Sequence, residues 1–213
     1  MKKNLFIALE GLDGSGKSTQ TKLLAEKLKA EGLKVYTTSE PTSSRIGSVI
    51  KDIFKHKLEA DHRTIAALFV ADRLDHLLNK TDGLVKMLEE DFTVICDRYY
   101  FSSYAYQGTH LDIDWVINAN SLSADILRPD LNIFIDVSAD TSMKRVNRSR
   151  PSTELYETVE NLENVRKKFF EAFEKLRNKE IVFIVDGNRS SDLIAKDIWK
   201  EVSGALEKKK LLS

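Results

Sequence analysis

The chain is nearly free of cysteine, with Cys96 alone among 213 residues. No internal disulfide can form, and one thiol suits a reducing compartment. Cys96 lies in the apolar run TVIC, so the expectation is a buried core thiol rather than a nucleophile. Proline is scarce as well, and the three prolines do not cluster. Internal repeats, low-complexity segments and linkers are missing, so the reading is one domain over residues 1–213. Net charge is absent, since 33 Lys and Arg balance 33 Asp and Glu. No global field draws the chain to nucleic acid or to a membrane surface. No apolar stretch approaches the roughly 20 residues of a membrane span. The apolar run in MKKNLFIALEG is too short for a signal segment with a cleavage site. The expectation is a cytoplasmic protein with neither nucleic acid nor membrane as partner.

Five short apolar runs are present: NLFIALE (4–10), LKVYTTSE (33–40), FTVICD (92–97), LNIFIDV (131–137) and IVFIVDG (181–187). Each is rich in Val, Ile or Phe, as strands covered on both faces of a parallel sheet are. Helical stripes fill the intervals, including Leu23, Leu24 and Leu28; Ile65, Leu68, Phe69 and Leu77; and Val165, Phe169, Phe170, Phe173 and Leu176. Alternation of this kind predicts an α/β fold, a doubly wound five-stranded parallel sheet flanked by helices.

Between the first strand and the first helix stands EGLDGSGKSTQ. Gly11, four residues, then Gly16, Lys17 and Ser18 fit G-x-x-x-x-G-K-[ST]. Glycines let the backbone curl around an anion. The first N–H groups of the following helix lack intrahelical partners and carry the positive end of its dipole. Lys17 is expected at the β- and γ-phosphates, and the Ser18 hydroxyl can ligate Mg²⁺. The plain alternative is an ordinary glycine-rich turn.

Ligands in such a sheet sit at the carboxyl ends of the strands. Asp97 follows a buried strand, where an acid can hold the Mg²⁺ hydration shell. A helix cap or a solvated strand end is the other reading. Two literal GTPase patterns, NKTD at Asn79 and DGSG at Asp13, stand in the wrong context: one ends a helical stretch and the other lies inside the phosphate loop. Arg145, Arg148 and Arg150 gather where a helix precedes RPSTELYE. Arginines clamp the charge of a transferring phosphoryl group, and the segment about 145–157 reads as a mobile lid. A solvated helix end would also favour them.

DRYYFSSYAYQG (97–108) resembles the DRY…SSxAYQG stretch of thymidylate kinases. The phosphate loop with its acid at Asp13, the EPT…IG…I+ stretch from Glu40 to Lys51, and LFxADR from Leu68 to Arg73 are similar to theirs too. The matching features run from residue 5 to about 187 in the family's order. The first and last of these motifs, DRY…AYQG and LFxADR, separate the family from adenylate and guanylate kinases.

The resemblance implies a P-loop nucleoside monophosphate kinase that moves the γ-phosphoryl of ATP to dTMP, with Mg²⁺ as cofactor and a homodimer as the working form. Carried over by position, ATP is held by Gly11, Leu12, Asp13, Gly14, Ser15, Gly16, Lys17, Ser18, Thr19 and Arg145, and the metal by Ser18 and Asp97. Phe69 stacks on thymine, Arg73 donates to its O4, and Ser103 and Gln107 line base and sugar. Asp13 approaches the 3′-hydroxyl, Tyr106 crowds the place of a 2′-hydroxyl, and Arg98 holds the acceptor phosphate. Lys17, Arg98, Arg148 and Arg150 carry the chemistry.

Departures from the family pattern are visible. Gly14 stands where some relatives carry an arginine, which throws the catalytic cation onto the lid. Lys51 stands where many carry a second acceptor-phosphate arginine, and Arg45 is the candidate replacement. The lid's usual D-R-F-E reads Glu154, Leu155, Tyr156, Glu157. The four histidines show no metal spacing and read as surface residues.

Overall fold

The computed structural model describes residues 4–149, 155–156 and 158–211. Its strands are β1 (Phe6–Glu10), β2 (Lys34–Ser39), β3 (Phe92–Asp97), β4 (Leu131–Asp136) and β5 (Val182–Asp186). All pairings are parallel, in the order β2-β3-β1-β4-β5. The five apolar runs thus become the five strands. The central three are buried almost throughout, but β2 and β5 are partly exposed. The expectation of cover on both faces fails for these two because each is an edge strand with a single neighbour.

The helices are α1 (Lys17–Ala30), α2 (Arg45–Phe54), α3 (His62–Leu78), α4 (Leu84–Glu89), α5 (Tyr100–Tyr106), α6 (Ile113–Ala119), α7 (Ser121–Ile126), α8 (Ala139–Ser149), α9 (Val159–Leu176) and α10 (Ser191–Leu211). One sheet face is covered by Leu24 and Leu28 of α1 with Ile194, Ile198 and Val202 of α10. The other is covered by an aromatic layer in which Phe169 and Phe173 of α9 pack on Phe134 of β4, with centroids 4.8 and 5.2 Å away. Truncating such a buried ring to Ala costs about 3–5 kcal/mol. A smaller cluster joins Ile50 and Ile53 of α2 to Ile65 and Phe69 of α3. It forms a lobe above the carboxyl end of the sheet.

Register sets the site. Leu9 pairs with Asp97, and Glu10 pairs with Phe134. The phosphate loop after β1 and the turn after β3 therefore emerge side by side. The α2–α3 lobe hangs over both.

Candidate active site

The phosphate loop takes the backbone form the glycines permit. Gly11, Gly14 and Gly16 all have positive φ, at 148°, 69° and 103°. At Gly14 a Cβ would come within 2.7 Å of the Ser142 carbonyl and 3.1 Å of Arg145 Cβ. Helix α8 thus fills the place that an arginine side chain would need. Ser142 adds a hydroxyl bond to the Asp13 carbonyl.

Lys17 is buried and donates to the Gly11 and Leu12 carbonyls at 3.1 and 2.8 Å. Burial, joined by the Arg98 charge, lowers its ammonium to about 8 against the pull of Asp97, Asp13 and Glu10. Ser18 Oγ donates to Asp97 Oδ2 at 2.8 Å. A cavity of about 620 Å³ is lined by residues 13–20 together with Ser39, Glu40, Asp97, Arg98, Arg145, Arg189, Ser191 and Ile194. Gly14, Ser15, Gly16, Ser18 and Thr19 fall in this wall, while Gly11 and Leu12 lie beneath it. Arg145 donates to the carbonyls of Gly14, Ser15 and Gly187. It braces the loop from the α8 side.

A second cavity, of about 320 Å³, is lined by Asp13, Pro41, Lys51, Phe54, Lys55, Phe69, Arg98, Ser102, Ser103, Tyr106, Gln107 and Tyr156. Its walls are aromatic, with Phe54 5.9 Å from Phe69 and 5.4 Å from Tyr156. Cationic Lys51, Lys55 and Arg98 and acidic Asp13 complete it. The Gln107 side chain is 2 % exposed, and its Oε1 has no partner among the described residues. A buried acceptor without a donor is costly unless a ligand supplies one.

Asp13 and Arg98 line both cavities. Arg98 has φ 72°, a conformation that turns its side chain back over the loop. Its Nη2 bonds Asp13 Oδ1 at 2.6 Å, and its Nη1 donates to the Gly11 carbonyl at 3.2 Å and Ser102 Oγ at 3.1 Å. Tyr106 OH donates to Asp13 Oδ2 at 2.8 Å. Burial alone would raise the Asp13 carboxyl, but Arg98, Lys17 and the Tyr106 bond hold it at about 2.

Not every expected residue reaches these walls. Arg73 is buried behind Ser103, to which it donates at 3.1 Å. Its Nε and Nη2 bond Glu40 at 2.9 and 2.6 Å, and Nη1 bonds Asn120 Oδ1. A guanidinium has five N–H donors; these contacts occupy four and leave one on Nη1. Arg45 is exposed on the first turn of α2 and lines neither cavity, whereas Lys51 lines the smaller one. Arg148 is exposed near the end of α8. Residues 150–154 and 157 of the expected lid, Arg150, Glu154 and Glu157 among them, lie outside the described residues.

Several site residues were not singled out by the sequence. Phe54, Lys55, Ser102, Tyr156 and Arg189 arrive from four separate places in the chain. The expectation of surface histidines holds for His56 and His110, which are exposed, and fails for His76. His76 is buried, bonding Glu40 Oε1 at 3.0 Å and Thr38 Oγ1 at 2.8 Å. His62 stacks on His110 at 3.8 Å, beside Tyr156.

A family model described as thymidylate kinase matches residues 9–198. A probable thymidylate kinase of Pyrococcus horikoshii is 39 % identical over 84 % of this chain and 88 % of its own length. One of Methanocaldococcus jannaschii is 33 % identical over 97 % of this chain and 98 % of its own. A thymidylate kinase of Leptospira interrogans is 32 % identical over 92 % of each.

Proposed function

The chain belongs to the thymidylate kinase family, whose members phosphorylate dTMP, and we propose that its two cavities hold ATP and dTMP on either side of the Asp13–Arg98 pair. That shared wall is the observation that carries the reading. A phosphoryl group passing between the cavities crosses a place already lined by cationic donors. The bond from the γ-phosphorus to the β-bridging oxygen of ATP breaks. A bond to an oxygen of the dTMP phosphate forms, and ADP and dTDP leave.

In this reading the backbone of Gly11–Thr19 cradles the ATP phosphates. Lys17 leaves the Gly11 and Leu12 carbonyls for the phosphate oxygens. Catalysis of this kind is positioning and charge stabilisation rather than covalent work. Arg98 and Lys51 hold the acceptor phosphate, and Arg45 closes from the rim. Arg148, and Arg150 by its place in the sequence, bring the lid's charge over the transferring group, while Arg145 steadies the loop. The oxygen-only pair Ser18 and Asp97 at the cavity edge suits Mg²⁺, which prefers oxygen ligands. When bound there, the ion neutralises phosphate charge.

Phe69 lies against thymine, with Phe54 behind it. Thymine offers a donor at N3, and the unpartnered Gln107 Oε1 is an acceptor suited to it. Arg73 keeps one Nη1 donor for O4 and orients Ser103. Asp13 takes the 3′-hydroxyl, and the Tyr106 ring stands where a 2′-hydroxyl would go.

The chain works as one kinase domain with a lid at about 145–157, and as a cytoplasmic homodimer. Exposed Leu78, Trp115 and Leu122 on α3, α6 and α7 support the dimer. Among the described residues, no helix is long and apolar enough to cross a membrane. Chromatography of a reaction of ATP, Mg²⁺ and dTMP should show dTDP and ADP appearing one for one. ADP without dTDP would refute the transfer.

A further inference from the structure

Glu10 is fully buried, is the last residue of β1, and touches neither substrate cavity. An ionised carboxylate in such a place is costly unless cations and donors answer it. Here both oxygens are answered. Oε1 accepts the Tyr99 N–H at 2.9 Å, and Oε2 accepts the Ser102 hydroxyl at 2.5 Å. Ser102 Oγ in turn accepts Arg98 Nη1 at 3.1 Å. We infer that Glu10 is a positioning residue that aims the Arg98 guanidinium at the acceptor phosphate through Ser102 and the Tyr99 N–H.

The direction of each hydrogen is forced by chemistry. Arg98 can only donate, and an ionised carboxylate can only accept. The Ser102 hydrogen must therefore point to Glu10, which turns the hydroxyl's lone pairs towards Arg98. A glutamine or a protonated acid can donate to Ser102 instead. That would turn the hydroxyl hydrogen against a second donor and release the arginine. The Tyr99 bond acts on the same residue from its backbone. Tyr99 directly follows Arg98, whose own N–H bonds the Leu9 carbonyl at 2.8 Å. The two bonds, from adjacent residues to adjacent positions of β1, fix the positive-φ turn that carries the arginine.

Burial raises the Glu10 carboxyl to about 7, against the pull of Ser102, Arg98, the Tyr99 N–H and Arg73. The charged and titratable groups facing it are Arg98 and Tyr99 from the turn, Arg73 from α3, Lys17 from α1, Cys96 from β3 and Tyr104 from α5. The relay is intact above about pH 7 and fails below it.

The inference rests on the reading of Arg98 as the acceptor-phosphate grip, so the test separates the two. Steady-state kinetics are measured on wild type, Glu10→Gln, Ser102→Ala, their double variant and Arg98→Ala. Glu10→Gln should raise the KM for dTMP about tenfold and leave the KM for ATP within about twofold. Ser102→Ala should do much the same, and the double variant no worse than the worse single, because the effects share one path. The ratio of wild-type to Glu10→Gln kcat/KM for dTMP should rise with pH through about 7, since dTMP's own ionisation cancels in it. Arg98→Ala leaving the KM for dTMP unchanged would overturn the reading of Arg98. Arg98→Ala raising that KM, with Ser102→Ala unchanged or the single effects multiplying in the double variant, would overturn the relay alone. Should Glu10→Gln not fold, Ser102→Ala decides by the same criterion.

Discussion

Arg98 Nη2 stands 2.6 Å from Asp13 Oδ1, and this ion pair separates the larger cavity from the smaller. The two residues come from different strand ends, brought together because β1 and β3 are adjacent. A phosphoryl transfer needs its donor and acceptor in line with their charges answered. In the proposed reading the pair occupies the place where that has to happen.

Lys17 makes the ATP side testable by pH. Its ammonium is lowered to about 8, chiefly by burial. Phosphate favours the charged form and raises that value on binding, so ATP binding takes up a proton above about pH 8 and weakens as pH rises further. Calorimetry in two buffers of different ionisation enthalpy should detect the uptake at pH 8.5. Lys17→Ala should abolish it, lower kcat about 10²–10³-fold by analogy with loss of a preorganised donor, and leave the circular dichroism spectrum unchanged. Near wild-type turnover in that variant would remove the lysine from the phosphates.

The Ser18–Asp97 pair predicts a metal phenotype. Asp97→Asn should raise the Mg²⁺ concentration for half-maximal rate by about 10–100-fold, the usual scale for loss of a group that supports a metal site. A titration of rate against free Mg²⁺ checks this. An unchanged midpoint would make Asp97 a plain strand end.

Arg73 is first a structural residue. Its pair with Glu40 is buried, each side chain being 1 % exposed. Removing one partner of a buried ion pair costs about 3–5 kcal/mol. Arg73→Ala should therefore lower Tm by roughly 6–20 °C, at about 2–4 °C per kcal/mol for a chain of this size. A Tm within a degree or two of wild type would contradict the buried pair.

The proposed function assigns base and sugar readout to different residues. Gln107→Leu removes an acceptor suited to the thymine N3–H. The ratio of kcat/KM for dTMP over dCMP should narrow at least roughly tenfold, since about 1.4 kcal/mol is a factor of ten. Tyr106→Phe keeps the ring but loses the bonds to Asp13 and Arg98. It should raise the KM for dTMP while preserving preference over the ribose nucleotide. Tyr106→Ala should narrow that preference. Equal effects of Phe and Ala on the sugar ratio would take the ring out of the sugar site.

These residues also mark how far the sequence could be read. The phosphate loop was legible because its chemistry lies within nine consecutive residues, flanked by a strand and a helix. The five strands were legible from apolar runs, but which were edges was not, because neighbours are chosen by topology. The sequence marks Arg73 but not that Glu40, 33 positions earlier, takes two of its donors. Glu10 reads as one more strand-end acid until Ser102 and Tyr99 are seen on its two oxygens. Gly14 reads as a missing arginine; the structure shows that α8 holds the space. Long-range pairing of this kind leaves no local pattern.

The most direct measurement is initial-rate ADP release from ATP and Mg²⁺ with dTMP, dUMP, dCMP, UMP, AMP and GMP offered separately, compared as kcat/KM. The account predicts that dTMP leads, with dCMP at least roughly tenfold behind and the purine nucleotides near background. A purine monophosphate equal to dTMP, or ADP release independent of any acceptor, would contradict it.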